Sequence, residues 1–99
     1  MLVVTTKDVP GYRIADVKGV AFGSVTRFVG IGGNTYAKGK DSTEVVGELR
    51  WQCIESLMAH AASMSANAVI RMRFETSRLS DNSSEIYAYG TAVVVEKSE

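Results

Sequence analysis

The sequence has little of what marks several classes of protein. Its single cysteine, Cys53, excludes an intrachain disulfide and is typical of a reducing compartment. No apolar run approaches the length of a membrane span, and the first residues lack the pattern of a secretion signal. Eleven basic and eleven acidic residues cancel, so no summed field attracts nucleic acid or an anionic membrane. We therefore expect a cytoplasmic protein without a nucleic-acid or membrane partner.

The composition is that of a small folded domain. Of the 99 residues, 45% are hydrophobic and 22% are charged, and there is one proline. These values favour a globular domain over a disordered linker. A chain of this length buries about 60 to 70% of its unfolded surface. Residues 1–99 are therefore predicted to form one domain with a modest core, which needs either good packing or a partner.

The first part of the chain has the pattern of strands. Residues 2–6 predict a short strand, and residues 12–27 predict a longer one after a Pro-Gly turn. Gly19 and Gly23 predict a bulge or a bend in the longer strand. Residues 30–40 contain four glycines without any periodicity, which indicates a loop.

The strongest local signal predicts a helix after this loop. Asp41 followed by Glu44 resembles a capping box at a helix N-terminus. Apolar side chains then recur at helical spacing, at Val46, Leu49, Cys53, Leu57, Ala61 and Met64. With the adjoining Trp51, Ile54 and Met58, the apolar arc spans about 200°, whereas about 100° is enough to cover one sheet. We expect this helix to pack against two neighbours.

The last part of the chain predicts an antiparallel hairpin. Residues 67–77 alternate apolar and charged side chains, and residues 84–96 follow after a polar turn. The predicted fold class is therefore α+β, with two layers and one long helix on an antiparallel sheet.

The last strand is apolar on both faces. Small side chains on one face allow the helix to approach, and the other face carries Tyr87, Tyr89, Val93 and Val95. Two arrangements would cover this second face. Either a second subunit packs on it, or the N-terminal strands of the same chain fold over it.

Three segments together resemble the YbjQ-like family of small bacterial and archaeal proteins. They are TTKDVPGYRI followed by VKGVAFGSV, then ANAVIRMRFETS after the helix, and the terminal YGTAVVVE, in the order of the family and over nearly the whole chain. The resemblance implies a β-α-β-β core related to the dodecin-type subunit, with additional N-terminal strands and assembly into a ring-shaped homopentamer. It implies no enzymatic activity, although the family carries a heavy-metal-binding label. Members often have glycine where this chain has Ser65 and Arg71, and a Gly-Gly-Arg-Ser-like segment where it has GKDSTEVVGELR.

The metal label directs attention to Cys53 and His60, the soft ligands besides the methionines. Both lie on one helix face, but about 10.5 Å apart along the axis, which is too far to bind one ion directly. Zinc sites use three or four ligands at short spacing, and neither residue has such a partner. The simpler interpretation is a buried thiol and a packed or interface histidine. A heavy-metal site would have to form between subunits, for example from a ring of five His60 or five Cys53 side chains.

Two other segments have features of anion sites. Gly39 and Lys40 precede the helix N-terminus, where backbone N–H groups favour anions, but their spacing is not that of a P-loop and Asp41 would repel phosphate. A basic cluster follows the helix, for which a solvated strand face is the simpler interpretation. Its members are Arg71, Arg73 and Arg78.

No nucleophile, general acid and general base can be assembled from these residues, so an enzyme is the least favoured class. The first hypothesis is a non-catalytic, ring-forming homo-oligomer without a cofactor, with the helix face and the last strand as its interfaces. The alternative is a binding module whose metal or small-ligand site forms between subunits, from His60, Cys53 or the loop at residues 32–40. Trp51 and Met58 would line such a small-molecule pocket, although packing is the simpler role for both.

Overall fold

The fold is one helix packed on a four-stranded sheet. The computed structural model describes residues 1–28, 42–80 and 83–98. Its elements follow in the order β1 (Leu2–Val3), β2 (Tyr12–Phe28), α1 (Ser42–Ser63), β3 (Ala68–Ser80) and β4 (Ser83–Lys97). The strand order in the sheet is β1-β3-β4-β2. The predicted α+β class, the single long helix and the β3-β4 hairpin are confirmed.

Some predictions fall outside this description. The glycine-rich loop at residues 30–40, and with it the candidate ligand segment at residues 32–40, lies outside the described residues. The same holds for Asp41 and for the side chain of Glu44, which were predicted to form the capping box. Within the described residues, no helix is long and apolar enough to cross a membrane.

The sheet is mixed, and the expectation of a purely antiparallel sheet was wrong in one strand. β4 runs antiparallel to both of its neighbours, β2 and β3. β1 runs parallel to β3, with Leu2 opposite Ala68 and Val3 opposite Val69. Alternation in a sequence determines which face a side chain takes but not the direction of the neighbouring strand. The pattern of residues 2–6 therefore predicted a strand without predicting its orientation.

The last strand is apolar on both faces because it is central. On the helix side, Ala88 and Ala92 are fully buried in a core cluster with Leu57 of α1. On the opposite side, Val93 and Val95 pack in a second cluster with apolar side chains of the N-terminal segment, Val4 and Val9. The chain's own N-terminal segment therefore covers this end of β4. Tyr87 and Tyr89, further toward the hairpin turn, remain half-buried.

The helix packs so closely on β2 that no side chain separates the two backbones at Gly23. A Cβ atom on Gly23 would lie 2.4 Å from the Leu57 amide nitrogen and 2.7 Å from the Cys53 carbonyl oxygen. Gly23 sits in regular pairing, so glycine there provides space rather than a bend. Gly19, in contrast, lies at a register shift of the β2-β4 pair and has a φ of 124°, which confirms the predicted bulge at that position.

Two residues other than glycine adopt left-handed backbone conformations among the described residues. Ser65 (φ 65°) ends α1 in a Schellman motif, in which the amides of Ser65 and Ala66 donate to the carbonyls of Ala62 and Ala61. Arg71 (φ 54°) lies at a bulge in β3, between two residues that pair regularly with β4. This conformation costs an ordinary L-residue about 1 kcal/mol or more.

Candidate functional site

Cys53 is buried in the core between the helix and the sheet. Its side chain has no exposed surface, and its Sγ atom lies 3.2 Å from the Gly23 carbonyl oxygen and 3.4 Å from the Ile86 carbonyl oxygen. Both oxygens are acceptors, so the sulfur keeps its proton and donates it. Burial raises the pKa of the Cys53 thiol above its ordinary value, and the Glu85 carboxylate adds to the rise. This environment disfavours the thiolate, which is the form that binds metals.

His60 lies at the outer edge of the sheet rather than in the core. Its Nδ1 atom accepts a hydrogen bond from the Phe22 amide at 3.0 Å, and its ring contacts the Phe22 ring edge to face at 4.7 Å between centroids. Because Nδ1 uses its lone pair for this bond, the proton of the neutral imidazole lies on Nε2. Through this hydrogen bond and this ring contact, His60 links the helix to β2.

These two residues do not fit a heavy metal within one chain. Neither the protonated Sγ of Cys53 nor the protonated Nε2 of His60 offers a lone pair suited to a soft cation. Among the described residues, no three His, Cys, Asp or Glu side chains are close enough to hold an ion together. A metal site formed by His60 or Cys53 between subunits stays a prediction.

Trp51 is the largest exposed side chain of the helix. It lies in a shallow depression of about 590 Å³ with Gly47, Glu48, Gln52 and Glu55. Met58 does not line this depression. A pocket that Trp51 and Met58 would line between subunits stays a prediction. The open shape and the two acidic neighbours give little enclosure for an apolar ligand.

A stripe of exposed apolar side chains runs along β2 on the sheet face away from the helix. Its members pair across the sheet with residues of β4 on that same face, such as Val20 with Thr91 and Phe22 with Tyr89. They are 40 to 64% exposed. We call this set the β2 stripe, and it consists of Tyr12, Ile14, Val17, Val20 and Phe22.

The β2 stripe was not predicted, because the bulges change the side on which residues lie. Val17 and Val20 are three residues apart and would face opposite sides of a regular strand. The register shift between Val17 and Gly19 brings both onto the face away from the helix. The glycine at position 19 was the available signal for this shift, but it does not by itself indicate which residues change sides.

The described part of the sheet has two open edges. β2 pairs with β4 and with no other described strand along its 17 residues. On the other side, backbone bonds from the N-terminal segment reach β3 only as far as Met72, whose amide donates to Val4. Beyond it, β3 continues to Ser80 with β4 as its described neighbour. Open strand edges of this length are templates for pairing with another chain.

Comparison with known proteins finds relatives that match this chain over nearly their whole length. A family model, YbjQ, described as "Putative heavy-metal-binding", matches residues 1–96. A UPF0145 protein of Pyrococcus abyssi is 46% identical over 107 aligned positions, which cover 100% of this chain and 94% of that protein. A UPF0145 protein of a Bradyrhizobium species is 41% identical, with coverage of 97% and 94%.

A solved structure shares the fold. It is the crystal structure of a protein of unknown function from Pediococcus pentosaceus, of the DUF74 family. Its TM-score is 0.69 with 16% sequence identity, and the match covers 97% of this chain and 98% of that one. At this identity the likeness supports the helix-on-sheet architecture alone.

Proposed function

This chain belongs to the YbjQ family, and from that premise and the exposed β2 stripe we propose that it works as a ring-forming homo-oligomer without catalytic residues of its own. The observation that carries the proposal is the β2 stripe itself. Fully burying one Val or Phe side chain stabilises a protein by about 1.5 to 3 kcal/mol. Five neighbouring apolar side chains on an open strand edge are therefore a favourable contact surface for a second subunit.

The positions of the two open edges favour a ring over a symmetric dimer. The β2 edge and the far part of the β3 edge lie on opposite sides of the sheet. Pairing of unlike edges is a head-to-tail contact, which closes into a ring when the rotation per subunit divides a full turn. The resemblance to the YbjQ-like family implies five subunits, which requires a rotation of about 72°.

A non-catalytic role is supported by the state of the two reactive side chains. The Cys53 thiol is buried and donates to carbonyl oxygens, and His60 Nδ1 is held by a backbone amide. The two groups therefore share no hydrogen bond of the kind that activates a nucleophile.

The second candidate function is metal binding between subunits, as the description of the family suggests. His60 is the better placed of the two candidates, because it lies beside the β2 stripe and would approach a neighbouring subunit there. A site of this kind requires His60 to release the Phe22 amide so that one ring nitrogen is free for the ion.

Native mass spectrometry of the untagged protein, purified without added metal, tests both functions. We expect a closed oligomer of bare subunits for the wild type, and monomers for Val20→Lys and Phe22→Lys, with unchanged circular dichroism. Gln52→Lys, on the exposed side of the helix, is the matched control and should leave the oligomer intact. A monomeric wild type would contradict the ring. A reproducible excess mass that His60→Ala removes would favour the metal-binding function.

A further inference from the structure

We propose that Arg71 and Arg73 form a binding site for a small organic oxyanion, a carboxylate or phosphate attached to an apolar group, on the sheet face opposite the helix. The site is built from residues of one chain, and its apolar groove shares Val20 with the β2 stripe. Four observations lead to it: the left-handed backbone of Arg71, the anchoring of Arg73, the lack of an ion pair at either arginine among the described residues, and two grooves that meet at the pair.

Arg71 occupies a position for which glycine is better suited. Its φ is 54°, and its amide donates to the Thr6 carbonyl at 2.9 Å, which holds the bulge in place. Across the sheet, a Cβ atom on Gly90 would lie 2.5 Å from Val69 Cγ1 and 2.9 Å from the Ile70 carbonyl oxygen, so β3 lies tightly against β4 next to the bulge. A bulge redirects the side chain that it carries, and strained residues of this kind cluster at binding sites.

Arg73 is held in a fixed orientation. Its Nη1 donates to the Thr5 carbonyl at 2.8 Å and to the Met72 carbonyl at 2.9 Å. These bonds use Nη1 and leave Nη2 and Nε as donors, in the planar geometry that suits a carboxylate or phosphate. An arginine that is already anchored loses less conformational entropy when it binds an anion.

Among the described residues, neither Arg71 nor Arg73 forms an ion pair with a carboxylate. Ion pairs elsewhere on the described chain include those of Arg13 with Glu96 and of Lys18 with Asp16. Both arginines are exposed. The nearest carboxylate on their strand, that of Glu75, is the acceptor of the Tyr89 hydroxyl at 3.5 Å. The guanidinium groups are therefore available to an anion from solution.

Arg71 and Arg73 line two grooves, which differ in polarity. The first, of about 680 Å³, adds Lys7 and one carboxylate, Asp8, so that three cationic side chains face one acid. The second, of about 370 Å³, adds the ring of Tyr89 and the apolar Val20. An oxyanion at the junction would place an attached ring or short hydrocarbon against Tyr89. This combination of a charged end and an apolar wall defines the ligand class.

The test is a titration of the ¹⁵N-labelled protein with phenyl phosphate, benzoate and inorganic phosphate, followed by amide and arginine side-chain shifts. We expect saturable shifts at Arg71, Arg73 and Tyr89 with the two aromatic probes, and weaker binding of inorganic phosphate. The tighter of phenyl phosphate and benzoate identifies the oxyanion. Equal binding of inorganic phosphate would overturn the apolar part of the assignment, and the absence of saturable shifts with all three probes would overturn the site.

Arg71→Gly is the decisive variant, because it removes the guanidinium and relieves the backbone at once. We expect a higher thermal midpoint together with at least tenfold weaker binding of the aromatic probe. Arg50→Ala, which removes the same charge from the helix on the other side of the sheet, should bind as the wild type does. Binding by Arg71→Gly equal to that of the wild type would show that Arg71 has no part in a site. Native mass spectrometry of each variant separates loss of the anion site from loss of the oligomer.

Discussion

At the scale of single residues, two left-handed positions separate a structural role from a functional one. Ser65 closes a helix in a Schellman motif, which uses its backbone amide and its left-handed conformation rather than its hydroxyl. Arg71 has the same kind of backbone strain but directs a charged group into a groove. Glycine would adopt this backbone conformation at either position without steric cost, so the serine and the arginine require separate accounts.

Ser65→Gly should stabilise the protein. Glycine adopts the left-handed conformation at the helix C-terminus without the steric cost that serine incurs. We expect the free energy of unfolding, measured by urea denaturation, to rise by about 1 kcal/mol. Ser65→Ala is the control, since alanine keeps the Cβ atom and removes only the hydroxyl. If the alanine variant is as stable as the glycine variant, backbone strain at this position is not the cause.

Cys53 should make stability depend on alkaline pH. Its pKa is raised in the folded protein by burial, so the thiol ionises first in the unfolded chain. The contribution of the protonated thiol is complete below its ordinary pKa of about 8.5 and is lost as the pH rises above it. We expect the difference in free energy of unfolding between the wild type and Cys53→Ala to fall as the pH rises above this value. A difference that does not change above this pH would indicate that the thiol titrates equally in both states.

At the scale of elements, the sequence predicted whether a segment forms a helix or a strand better than it predicted the boundaries or the bulges of that element. The helix, the long second strand and the hairpin follow from periodicity that covers many residues, and all three are present. The register shifts around Ile14, Val17 and Arg71 depend on one or two residues each, and periodicity does not reveal them. Since each shift moves side chains between faces, the sequence predicted the core of β4 but not the β2 stripe.

The contact between α1 and β2 should be very sensitive to the size of the side chain at position 23. Gly23→Ala places a Cβ atom against helix backbone, which cannot move aside as a flexible side chain does. We expect a loss of about 1 to 3 kcal/mol in the free energy of unfolding, or more if the helix shifts as a whole. Gly47→Ala is the matched control within α1, because a Cβ atom there meets nothing within 4 Å. It should gain up to about 1 kcal/mol from helix propensity.

At the scale of the whole molecule, the shape and the exposed apolar surface belong together. The molecule measures 56 × 24 × 19 Å, and its long axis matches the length of β2, at about 3.3 Å for each of the 17 residues. A long, narrow sheet has much exposed strand edge in relation to the small core that it buries. The sequence indicated that a core of this size needs either good packing or a partner. As the surface for a partner it pointed to the last strand, whose far end the N-terminal segment already covers.

Stability should therefore depend on protein concentration. If subunits bind through the β2 stripe in the folded state alone, association stabilises the fold by mass action. We expect the thermal midpoint of the wild type to rise when the protein concentration is raised from about 1 to 100 μM. Val20→Lys removes apolar surface from the centre of the β2 stripe, and its midpoint should be lower and independent of concentration. Gln52→Lys should keep the dependence of the wild type. A wild-type midpoint that is constant over this range, together with a monomeric mass, would mean that the stripe is exposed in the working protein and that single chains are stable without a partner.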